Sequence, residues 1–124
     1  LPILVRPGQP DQIPRPTAAG GFWWTGLWGG VLIIAIWVVF GPTLQHKFIN
    51  FDDGVYVYEN SNVTRGVTAP GIVWAFTHSH AGNWHPLTTL SHMLDCQLYG
   101  VKPAGHHFTN ILFHAGSAVF LFGL

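Results

Sequence analysis

Residues 21–41, GFWWTGLWGGVLIIAIWVVFG, carry no charged side chain. A helix rises about 1.5 Å per residue, so this run spans about 30 Å, the hydrocarbon thickness of a bilayer. Trp23 and Trp24 near one end and Trp37 near the other suit the two membrane interfaces. Gly26, Gly29 and Gly30 would weaken a helix in water but permit close helix packing in lipid. A buried helix of a soluble protein is the competing reading. A cleaved signal peptide fits less well, because a tail precedes the run and no small-x-small site follows it. Only 8% of residues are charged, against about 25% in a typical soluble domain. Net charge is zero with histidine neutral, so no basic footprint points to nucleic acid. The one cysteine, Cys96, excludes an internal disulfide and a cysteine-rich zinc site.

The rest of the chain divides around this run. Residues 1–20, rich in proline and glycine, read as a flexible tail. A transmembrane helix is expected over 21–42, a more polar loop over 43–105, and the truncated start of a second transmembrane helix over 106–124. The expected architecture is therefore all-α: a multi-pass membrane bundle fragment whose two spans are joined by a loop carrying short interfacial helices. A start at Leu1 rather than Met and an end inside an apolar run read as a piece of a larger protein, expected to be inactive alone. Arg6 and Arg15 in the tail nearly balance Lys47, Arg65 and Lys102 in the loop, so charge leaves the orientation open.

Two helices are expected in the loop. PGIVWAFT, residues 70–77, starts with proline and spaces Ile72, Val73 and Phe76 helically. WHPLTTLSHMLDCQLYG, residues 84–100, has Pro86 suited to a first helical position and Gly100 to a stop. Leu87, Leu90, Leu94 and Leu98 share one face; Thr89, His92 and Cys96 lie opposite, with Asp95 on the flank. Such a helix beside membrane spans should lie flat at the lipid–water interface. The chain holds only five acidic residues, yet Asp52 and Asp53 stand side by side just past the apolar run. DDG also reads as a solvated turn.

NFDDGVYVYEN, GIVWAFT, NWHPLTTLSHMLDCQLYG and AGHHFTNILFHA, in that order, resemble the N-terminal part of bacterial membrane proteins with C-terminal tetratricopeptide repeats. These are similar to the transmembrane-and-tetratricopeptide O-mannosyltransferases of the GT-C superfamily, relatives of the dolichyl-phosphate-mannose protein mannosyltransferases. The resemblance covers about residues 45–122. It implies a loop outside the cytoplasm, a cytoplasmic N-terminus and a bacterial inner-membrane location. It also implies a polyprenyl-phosphate sugar as donor, possible mannose transfer, and a protein or glycan hydroxyl as acceptor. Asp52 and Asp53 match the family's acidic motif, Asp52 as the leading acid and general base, with Asp53 orienting the acceptor or exchanging roles with it.

Arg65 and Lys102 are the loop cations for a lipid phosphate, with histidines as further donors. The candidate substrate-binding set is Arg65, His85, His92, Asp95, His106 and His107. Eight histidines raise a metal reading, but no HExxH is present, and no cofactor or metal is expected. His92 and Asp95, three apart on one helix, are expected to bond to each other or to backbone. His107 and His114 share a face at seven-residue spacing, which would suit haem only with a partner helix. The alternatives are a non-catalytic membrane-anchored repeat scaffold and a haem- or metal-binding membrane protein.

Overall fold

The computed structural model describes residues 19–124, with side chains from Trp23 onward; the expected tail lies almost wholly outside this range. Five helices follow in order: α1 (Ala19–Phe40), α2 (Ser61–Thr64), α3 (Ala69–Thr77), α4 (Pro86–Tyr99) and α5 (Pro103–Phe122). A 3₁₀ turn, Gly41–Gln45, extends α1, and one π-helical turn, Gly54–Tyr58, follows Asp53. Among the described residues the only bridge is an isolated one, His80 to Asn83, so the all-α class holds.

α1 is rich in Gly, Val and Ile, all poorer helix formers than Ala or Leu. Its sequence therefore favours a helix only weakly through propensity. The span Trp23–Gln45 is long and apolar enough to cross a membrane, and only 11% of its most apolar window is buried inside the protein. Trp23 is 78% and Val38 72% exposed, an apolar surface that water does not favour.

α5 packs antiparallel to α1. Ile36 meets Ile111 and Ala115 near one end, and Gly29 faces Val119 toward the other. Of the three expected packing glycines, only Gly29 has a neighbour where a Cβ would stand; Gly26 and Gly30 face open space. Trp37 packs on Phe108, ring centroids 5.9 Å apart.

A second span is not clearly present among the described residues. α5 has 20 residues, enough for about 30 Å, yet among the described residues one helix alone is both long and apolar enough to cross a membrane. His106, His107, Thr109, Asn110 and His114 crowd polar groups into its first half and lower its hydropathy.

The short helices gather around a second core of Val57, Val63, Ala75, Met93 and Cys96, flanked by Phe48, Tyr56, Trp74 and Leu90. Thr68 caps α3, its hydroxyl accepting from Gly71 N at 3.1 Å, and Asn60 caps α2 in the same way. Trp84 Nε1 donates to the Phe76 carbonyl at 3.0 Å and ties the start of α4 to the end of α3.

α4 is inverted relative to a helix on a soluble core. Thr89, Met93, Asp95 and Cys96 are buried, while Leu87, Leu94 and Leu98 are 74, 47 and 61% exposed. Ile72, Val73 and Phe76 of α3 are exposed as well. Gly100 ends α4 at φ +69°, a left-handed conformation that favours glycine, and α5 begins at Pro103.

Candidate functional site

A cavity of about 570 Å³ opens where α1 ends. Phe40 and Thr43 come from the end of α1 and its 3₁₀ extension, His46, Lys47, Ile49 and Asp53 from the following segment, and His107, Asn110, Ile111 and His114 from α5. The three- and four-residue steps from 107 to 114 keep the α5 residues on one face. Phe40 and His114 meet edge to face at 5.0 Å and join the two walls.

Asp53 is the cavity's carboxylate. It is half-buried, and its Oδ2 accepts from Ile49 N–H at 2.7 Å, which folds residues 49–53 back on themselves. Lys47 is the cavity's ammonium, and among the described residues it forms no ion pair with a carboxylate. The cavity thus holds one cation, one carboxylate and several imidazoles against an apolar wall of Phe40, Ile49 and Ile111.

The expected site residues separate into three places. Asp53 and His107 line the cavity. Asp52 is exposed, does not line it, and contributes a backbone carbonyl to Tyr56 N at 3.0 Å. Arg65, exposed at the C-cap of α2, and Lys102, exposed at the N-cap of α5, do not line it either. His85 lies in a separate aromatic group, 5.3 Å from Tyr56 and 6.2 Å from His80 between ring centroids. In that group His80 Nε2 donates to the Val55 carbonyl at 2.7 Å, and Asn83 Nδ2 donates to the Tyr56 hydroxyl at 3.0 Å.

His92, Asp95 and His106 form the third place, a cluster between α4 and α5 in which Asp95 and His106 are buried and His92 is half-buried. One ligand atom from each lies within 4.8 Å of the others. Asp95 and His106 are each only 3% exposed. Thr109 Oγ1 donates to Asp95 Oδ1 at 2.6 Å, while Asp95 Oδ2 stands 3.5 Å from His106 Nδ1. Burial holds the His92 imidazole below its ordinary pKa, helped by the neighbouring His106, so the neutral ring is favoured. Burial also raises the Cys96 thiol, with the Asp95 charge adding to it. Among the expected bonds, the His92–Asp95 hydrogen bond does not form; His92 Nδ1 is buried without a partner.

Sequence reasoning passed over Lys47, His46 and Asn110 as site residues. Lys47 stands six positions before Asp53, a spacing that points nowhere until the Ile49–Asp53 bond turns the segment back. The shared face of His107 and His114 was readable; its use as a cavity wall was not. No protein-family model, curated protein or solved structure matches this chain.

Proposed function

We propose that this chain belongs to an integral membrane glycosyltransferase, one that moves a sugar from a polyprenyl phosphate to a hydroxyl of a protein or glycan. The observation that carries the reading is the cavity at the end of the membrane-length helix, where Lys47 and Asp53 face the same space. A lipid-borne donor needs an apolar path for its chain, a cation for its phosphate and a base near its sugar. Phe40, Ile49 and Ile111 supply the first, Lys47 with His46 and His107 the second, and Asp53 the third. The acidic-motif resemblance supports the same chemistry.

In this reading Asp53 takes the acceptor's proton as its oxygen bonds to the anomeric carbon. The bond from that carbon to the phosphate oxygen breaks, and the phosphate leaves with the electron pair beside Lys47. Asp52, exposed on the water side, exchanges roles with Asp53 and positions the acceptor. The outward leucines of α4 rest on the outer membrane surface, and the N-terminus lies in the cytoplasm of a multi-pass inner-membrane protein.

The test is transfer from a labelled polyprenyl-phosphate sugar by the membrane-embedded protein. Asp53→Asn should lower the rate about a hundredfold or more, the scale of a lost general base. Lys47→Ala should weaken donor binding. Transfer at the wild-type rate by Asp53→Asn would sink the mechanism.

A further inference from the structure

The cluster between α4 and α5 takes no part in that reaction and asks for its own explanation. The geometry points to a divalent transition-metal site, with zinc as the best fit, held by His92, Asp95 and His106. It would pin α4 to α5.

Donor spacing is the first argument. Zinc binds imidazole nitrogen and carboxylate oxygen at about 2.0–2.2 Å, so two ligands on a tetrahedral ion stand about 3.3–3.5 Å apart. Asp95 Oδ2 and His106 Nδ1 are 3.5 Å apart. A charged histidine–carboxylate bond would instead close to about 2.7–2.9 Å. The third donor, from His92, lies within 4.8 Å of both. Two imidazoles and one carboxylate are a donor set that zinc and ferrous iron both take, and the 3.5 Å donor spacing favours the tetrahedral ion, with a fourth position free.

Unmet hydrogen bonding is the second argument, and it is independent of spacing. Four ring nitrogens are buried without a hydrogen-bond partner among the described residues, those of His80, His92, His106 and His107, and two of them, His92 Nδ1 and His106 Nδ1, belong to this cluster. Buried polar atoms in native proteins are nearly always satisfied, so two orphaned ring nitrogens beside one carboxylate ask for a shared partner. Thr109 supplies the outer shell: its hydroxyl takes Asp95 Oδ1 at 2.6 Å and leaves Oδ2 turned to His106.

The topology explains the pairing. His92 and Asp95 sit one turn apart on the inward face of α4. The Gly100 turn reverses the chain and brings His106, in the first turn of α5, against them. The metal thus closes a short αα-hairpin across its own turn.

The experiment uses the full chain in detergent micelles, stripped with a chelator, dialysed against buffered zinc and assayed for bound metal. Wild type should hold one zinc per chain, and so should His78→Gln, which removes an exposed histidine. His92→Gln and Asp95→Asn should lose it, and Thr109→Val should bind about tenfold or more weakly. Retention of zinc by both ligand variants, or no binding by wild type, would overturn the site. Cobalt in wild type keeps the test open should a variant misfold. Strong visible bands of a four-coordinate ion are expected, and the faint bands of a six-coordinate surface ion would overturn it.

Discussion

Gly105→Ala probes the contact that sets how α4 and α5 meet. Gly105 is buried in the first turn of α5. A Cβ built there would collide with Tyr99 Cγ and Tyr99 Cβ. Rotating the tyrosine ring cannot relieve a collision with its own Cβ, which the α4 backbone fixes. The helices must separate instead. Overpacking of this kind costs about 1–3 kcal/mol, and the closeness of the contact puts it at the upper end. Against that, alanine in place of glycine favours a helix by about 1 kcal/mol.

Gly116, on the same helix, has nothing within 4 Å of a built Cβ, so Gly116→Ala takes the propensity gain alone. The two variants should therefore differ by about 3 kcal/mol in unfolding free energy, with Gly105→Ala the weaker. Tryptophan fluorescence across a denaturant series in micelles would measure the difference, since Trp37 packs against Phe108 on α5. Equal stability of the two variants would refute the idea that the Gly105–Tyr99 approach fixes the hairpin.

Other outcomes follow from single contacts. Thr68→Ala removes the cap hydroxyl that accepts from Gly71 N and should cost about 1 kcal/mol by the same unfolding measurement. Arg65→Ala should leave binding of a labelled polyprenyl phosphate unchanged while Lys47→Ala weakens it, because only Lys47 lines the cavity; equal effects on a binding isotherm would count against the site. In the metal-free chain, Cys96 should react slowly with iodoacetamide at mildly alkaline pH and quickly once unfolded, a contrast read by mass spectrometry. Its thiol pKa is raised on folding, so the folded chain holds that proton more tightly. The stability it contributes is full below the unfolded thiol value and is lost as pH rises from there through the folded value, so the midpoint of unfolding should fall in that alkaline window.

Local signals in the sequence determine much of this protein. The uncharged run of 21–41 specifies α1, Pro86 opens α4, and Gly100 closes it, because each acts on its own backbone. The spacing of His107 and His114 places them on one face of α5. Direction is what such signals lack. Periodicity separates the leucines of α4 from Thr89, Asp95 and Cys96 but does not say which side faces inward, and here Thr89, Asp95 and Cys96 do.

Only the tertiary structure decided which aspartate faces the cavity. Asp52 and Asp53 are neighbours with the same chemistry, and the Ile49–Asp53 hydrogen bond with the π turn that follows turns one inward and leaves the other exposed. It also chose Lys47 over Arg65 and Lys102, and it joined His106 to His92 and Asp95 across the Gly100 turn. The physical reason is common to all three. Each depends on the phase of one helix or turn against another, set by side-chain contacts such as Gly105 on Tyr99 that pair residues no local pattern connects.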